Sequence, residues 1–189
     1  MDKRIIIASV LVIVICSVAY YFFFAQQSVT IKKATLEEIL KNVKSRLIVE
    51  SPYFANKSFI PATFTCSGKN IPPKLILKNI PSGTKSFVLI MYDPDAPMGT
   101  FYHWIKYNIP YEIHIIENDT IGTNIINSFG HKKYGGPCPP PGEKHRYYFV
   151  IIALDKVLDS SKIKNYKDLL NKINGHVLAY GCIMGLYKR

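Results

Sequence analysis

Ser86-Phe87-Val88-Leu89-Ile90-Met91-Tyr92-Asp93-Pro94-Asp95-Ala96-Pro97 is the stretch around which the rest of the chain is read. Its first seven residues are a run of largely apolar, strand-forming types, which predicts a buried strand. Two carboxylates follow at once, held between prolines, and His103-Trp104 comes just beyond. Proline presets a turn, and carboxylates are seldom set against a core strand without a partner. By itself the segment predicts a proline-rich turn with surface aspartates. Any larger role depends on what other segments bring to it.

Composition bounds the class. The chain has 189 residues, 48% hydrophobic and 20% charged, enough for one domain with a full core and unlike a disordered protein. Thirteen tyrosines and ten phenylalanines suit a β-rich core. The net charge of +11 favours anionic partners such as phosphate groups or acidic lipid surfaces. Nucleic acid is not an expected partner, because the lysines are scattered singly and no nucleic-acid fold signature occurs.

Residues 5–25 are an apolar run long enough, at 1.5 Å per residue, to cross a hydrocarbon core of roughly 30 Å. Lys3 and Arg4, within residues 1–4, place the N-terminus in the cytoplasm by the positive-inside rule. The expectation is therefore a single-pass cell-membrane protein, anchored by a transmembrane helix, with its C-terminal domain extracytoplasmic. A cleaved signal peptide and a secreted domain are the alternative, opposed by the length of the run and the lack of a clean small-x-small site. Residues 26–46 read as a juxtamembrane linker with an amphipathic helix. Thr35 and Glu38 form a capping box, and Leu36, Ile39, Leu40 and Val43 share a face, predicting a helix that ends near Arg46. It would lie on the membrane surface or pack on the domain.

Residues 47–189 have another texture. Short β-type runs at residues 47–50, 63–66, 75–77, 87–92, 104–109 and 147–154 alternate with Pro/Gly/Asn turns, followed by a helix at residues 166–173 and a strand at 177–186. This predicts a mainly β single domain with short peripheral helices. Two sequons, Asn56-Lys57-Ser58 and Asn118-Asp119-Thr120, fit an exterior domain. Outside the apolar run there are three cysteines, hence three conceivable pairings. Cys66 with Cys138 is the favoured one, because both lie in Gly/Pro-rich turns.

A second dense stretch, Tyr134-Gly135-Gly136-Pro137-Cys138-Pro139-Pro140-Pro141-Gly142-Glu143-Lys144-His145-Arg146-Tyr147, leads into another strand. If this loop and the aspartate turn meet at one sheet edge, Asp93, His103 and His145 converge and Arg146 finds Asp95 as an ion-pair partner. Together with Phe64-Thr65-Cys66-Ser67-Gly68-Lys69-Asn70-Ile71-Pro72-Pro73 and Tyr107-Asn108-Ile109-Pro110, these motifs resemble the phosphatidylethanolamine-binding protein family, in its bacterial and archaeal, Raf-kinase-inhibitor-like branch. The resemblance covers roughly residues 47–187.

The resemblance implies a β-sandwich with short peripheral helices and a pocket for phosphate or a phospholipid head group. By motif position the pocket would be formed by Asp93, Ala96, Pro97, His103, Pro139, Pro140 and His145, with Phe101 at the mouth and Asp95, Trp104, Arg146 and Tyr147 as structural neighbours. It also implies a cis Ala96–Pro97 bond. An imidazole titrates near pH 6.5 and a neighbouring carboxylate raises that value, so Asp93 is expected to keep one or both histidines protonated for charge-assisted bonds to phosphoryl oxygens. Asp93 would also make the site prefer monoanions or ammonium-bearing head groups.

The expected function is thus non-enzymatic binding of a small anion or head group, with no cofactor and no metal. Two histidines and an aspartate are also a metal-triad set, but the resemblance points to an unmetallated pocket. No nucleophile stands beside an evident base. The alternative is an interaction protein: family members inhibit serine proteases and carboxypeptidases or regulate kinases, so a surface that restrains a secreted peptidase is the competing expectation. His114, His131 and His176 are read as surface or structural.

Overall fold

The computed structural model describes residues 34–189, together with Ser17 and Tyr20 of the apolar run; the predicted transmembrane helix and the start of the linker lie outside the described residues. Among the described residues no helix is long and apolar enough to cross a membrane.

Strand β1 is Ile48–Glu50, β2 Ser58–Phe59, β3 Leu75–Lys78, β4 Ser86–Asp93, β5 Phe101–Pro110, β6 Ile115–Ile116, β7 Thr123–Asn124, β8 Lys144–Leu154 and β9 Val177–Lys188. Within residues 34–189, helices α1 (Leu36–Lys41) and α2 (Tyr166–Ile173) and two 3-10 turns, at Ala62–Phe64 and Ser160–Lys162, accompany the strands. Six strands form one sheet in the order β2-β9-β8-β4-β5-β7, and β1-β3-β6 form a smaller one.

The apolar run that opens at Ser86 is the third-from-last strand of the large sheet, and its side chains go both ways. Phe87, Leu89 and Met91 join Leu75 and Leu77 of the small sheet in one core layer. Val88 and Ile90 join Leu40 of α1 and Leu169, Leu170 and Ile173 of α2 in a second layer on the opposite face. Two covered faces explain why the strand is continuously hydrophobic rather than alternating. Helix α2 occupies the predicted residues, capped by the Asn165 side chain accepting from the Asp168 N–H.

Two local expectations are corrected. Residues 63–66 do not extend: a 3-10 turn over Ala62–Phe64 follows Pro61, and Thr65 closes it by donating its hydroxyl to the Ala62 carbonyl. Helix α1 carries the capping box of Thr35 and Glu38 but ends at Lys41, with Asn42 as its C-cap, rather than near Arg46. Arg46 is drawn instead to β9, forming a bridge with Tyr180 and placing its guanidinium 4.1 Å from the centre of that ring.

Candidate functional site

Antiparallel pairing brings four strand ends to one edge of the large sheet: the end of β4, the start of β5, the start of β8 and the end of β9. Asp93 is the last residue of β4, and β8 runs alongside with Tyr148 opposite Tyr92, so His145 lies just past the end of β4. His103 arrives through a bulge. The β4–β5 register steps from Met91 opposite Trp104 to Tyr92 opposite Tyr102, leaving His103 as the extra residue. Because of that step two successive residues serve one side of the sheet: Trp104 joins the core layer shared with the small sheet, and His103 stands edge-on to Tyr147 of the same layer at 5.2 Å.

The edge encloses a cavity of about 450 Å³. All eight residues named as ligand-binding from the sequence line it: Asp93, Ala96, Pro97 and Phe101 on one side, His103 at the back, and Pro139, Pro140 and His145 opposite. Cys138, Pro141, Phe129 and Arg189 complete the lining. Phe101 and Phe129 meet edge to face at 4.8 Å, and each ring lies about 5 Å from His103 (5.1 and 5.2 Å).

The two histidines differ in state. His103 Nδ1 lies 2.8 Å from the Gly135 carbonyl, which can only accept, so Nδ1 carries the proton and Nε2 holds the lone pair. Burial pushes the pKa of His103 below its ordinary value, outweighing the Gly135 bond and the Asp93 charge. Of the one or two rings that Asp93 was expected to keep protonated, His103 is not one: a ring sealed against backbone pays more for its charge than a carboxylate beyond its own hydrogen bonds returns. His145 goes the other way. Burial pulls it down, but the carboxylates of Asp93 and Glu143 more than offset this, so its pKa is raised. Its Nδ1 is 2.7 Å from Asp93 Oδ2 and its Nε2 3.1 Å from Glu143 Oε2, an arrangement in which both nitrogens donate only as imidazolium.

Beneath the rings, Tyr147 is fully buried. Burial, then the nearby Asp93 charge, pushes its pKa far up. Asp95 faces outward and clamps Arg146, with Nη2 2.5 Å from Oδ1, Nε 2.9 Å from Oδ2, and the Arg146 backbone N–H also donating to Oδ2 at 2.9 Å. That guanidinium holds the Asp95 carboxyl below the usual range. The Ala96–Pro97 bond is trans, contrary to the expectation of cis. The turn is closed without it: Asp93 Oδ1 accepts the Asp95 N–H at 2.8 Å, and Gly99, at φ 96°, donates its N–H to the Ala96 carbonyl.

The opposite wall is held from behind. Cys66 and Cys138 form a disulfide with Cα atoms 5.4 Å apart, and the Cys66 N–H donates to the Pro137 carbonyl. Gly136 allows this approach: a Cβ there would stand 2.3 Å from the Phe64 carbonyl oxygen. Phe129, Pro141 and Arg189 line the cavity, and Glu143 touches His145, without having been named as site residues from the sequence. Phe129 reaches the site only through a loop pinned by Asn127, whose amide donates to the His103 and Lys133 carbonyls. Arg189 follows β9, which pairs Lys188 with Lys144, and its carbonyl accepts from Gly142. Glu143, two residues before His145, was visible as a neighbouring carboxylate, but only the strand geometry turns it onto the ring. Tyr180 and Tyr187 are not part of the lining. His114 is exposed, His131 stacks on Phe129, and His176 is tied to Asp155.

Residues 50–188 match the model of the phosphatidylethanolamine-binding protein family, and the chain belongs to that family. It is 46% identical over 150 residues to a UPF0098 protein of Aquifex aeolicus, covering 75% of this chain and 88% of the relative. Among solved structures it is similar to a phosphatidylethanolamine-binding protein homologue from Chlamydia trachomatis, with a TM-score of 0.72 and 35% identity over 77% of this chain and 99% of the other. It is also similar to E. coli YbcL, described as a new member of the mammalian PEBP family, with a TM-score of 0.69 at 26% identity, over 77% of this chain and 99% of the other.

Proposed function

As a premise from family membership, we propose that this chain is a non-enzymatic binding protein whose cavity takes a small phosphoryl anion or the head group of a phospholipid. The observation that carries the proposal is the meeting of Asp93, His103 and His145 with Arg189 around one cavity whose remaining walls are proline and aromatic. Arg189 and a protonated His145 supply positive charge, Asp93 limits it, and neutral His103 offers a lone pair. Such a set suits a ligand that brings its own proton or ammonium, so a phosphate monoanion or a phosphorylethanolamine group fits better than a dianion. Cys138 offers no nucleophile, being bonded to Cys66.

The proposal includes placement at a membrane. The apolar run of residues 5–25 behind Lys3 and Arg4 would anchor the chain, with the binding domain outside the cytoplasm, where a disulfide persists. The test is an NMR titration of the five imidazoles with inorganic phosphate and with phosphorylethanolamine. His103 and His145 should shift together while His114 and His176 stay still, and His145→Ala should weaken binding by about tenfold or more, the size of one lost charge-assisted bond. Resonances of His103 and His145 that ignore both compounds would end this reading.

A further inference from the structure

The geometry points to Glu143 as the site's resident counter-anion: its carboxylate occupies the free donor of His145, so that bare anions must displace it whereas ammonium-bearing ligands gain from it. The inference rests on the binding reading above and says which phosphoryl ligands the cavity selects.

His145 has two donors, and Asp93 holds one of them at 2.7 Å inside the protein, where both side chains are only 4% exposed. The remaining donor, Nε2, is the one an incoming oxyanion needs, and Glu143 Oε2 already accepts from it at 3.1 Å. The two carboxylates are not equivalent. Asp93 ends a core strand, whereas the Glu143 side chain is 53% exposed and can leave into water. Its backbone is fixed all the same: the Glu143 N–H donates to the Pro140 carbonyl, and the preceding Gly142 donates its N–H to the Arg189 carbonyl at 2.7 Å. A tethered side chain that can swing, on a fixed backbone beside a cavity, is a competitor with a high local concentration.

Charge decides the direction. The other ionised groups facing the ring and the cavity are Asp93 and Arg189, and His103 is neutral. With Glu143 in place, His145 lies between two carboxylates, and among the described residues the Arg189 guanidinium is the one other cation lining the cavity. A phosphate that enters must break the Glu143 contact and then sit beside that carboxylate. A ligand with an ammonium group can leave the displaced carboxylate a partner of its own.

The test compares wild type with Glu143→Gln, which keeps the shape and an acceptor oxygen but removes the charge. Calorimetric affinities are measured for inorganic phosphate and for phosphorylethanolamine, and the titration of His145 is followed by NMR without ligand. The expected result is phosphate binding tightened about fivefold in the variant, phosphorylethanolamine binding unchanged or weakened, and His145 titrating at lower pH. If both compounds bind and their affinity ratio is the same in the two proteins, the inference is overturned and the binding reading stands. If neither compound binds either protein, both fall together. An unshifted His145 titration would show that the Glu143 contact is absent in solution and would also overturn the inference.

Discussion

Two buried charge clusters lie on neighbouring strands of the large sheet, Asp93 and His145 on β4 and β8 and Lys106 on β5, and the first of them lines the candidate cavity. At the end of β4, Asp93 and His145 pair at 2.7 Å and line the candidate site. Further along β5, Lys106 is fully buried, 4.0 Å from Asp119, with its ammonium 5.5 Å from the centre of the Trp104 ring. Asp119 in turn accepts from Trp104 Nε1 at 2.6 Å and from the Tyr134 N–H at 3.1 Å. Both clusters shift the ionisation of their members. Burial pushes Lys106 down to about 8, with Asp119 offsetting part of it. The difference teaches that a perturbed ionisable group marks a site only where a ligand can reach it; the Lys106 cluster has its polar groups turned inward onto protein, and reads as a structural knot that ties β5 to the loops at Asp119 and Tyr134.

Mutations sharpen the contrast. Asp93→Ala should have the largest effect, because it strands the His145 imidazole in a buried position: a loss of about 3 kcal/mol in chemical denaturation, together with loss of phosphate binding. Lys106→Met should act in the opposite sense. A lysine whose folded pKa is about 8 against 10.5 unfolded costs stability at neutral pH, at most about 3 kcal/mol, and that cost is fully present below pH 8 and disappears as pH rises towards 10.5. The variant should therefore be more stable than wild type at pH 7, lose that advantage by pH 10.5, and bind phosphate as before. Unfolding curves of the two proteins at matched pH would break the comparison if Lys106→Met were destabilising at pH 7. The smallest effect belongs to Arg146→Ala. Its pair with Asp95 lies on the same turn as Asp93 but faces solvent, so the change should cost about 1 kcal/mol or less and weaken further in high salt. An equal loss for Arg146→Ala and Asp93→Ala would mean that burial does not separate them.

Much of the site was readable before any coordinates because its parts are local. Pro94 and Pro97 mark a turn by their chemistry, the run from Ser86 marks a buried strand by its apolar continuity, and Asp95 and Arg146 were identifiable as partners once their loops were assumed to meet. Thr35 and Glu38 announce the start of α1 because a capping box is formed within four residues. Errors fell where a distant contact outranks a local preference. The run at residues 63–66 has strand-forming side chains, yet Pro61 and the disulfide to Cys138 bend it into a turn, and α1 stops early because Arg46 has a partner on β9.

Local chemistry along the chain thus sets the inventory: a mainly β domain, two proline-rich loops, and the carboxylate and imidazoles they carry. The tertiary structure decided their states. Only the bulge at His103 sets two consecutive residues on one face, only burial against Gly135 makes that histidine neutral, and only the β8–β9 pairing brings Arg189 to the cavity. Periodicity and turn chemistry act over a few residues and can be read along a chain; desolvation and charge pairing depend on which atoms from other segments surround a group, and are set when the sheet closes.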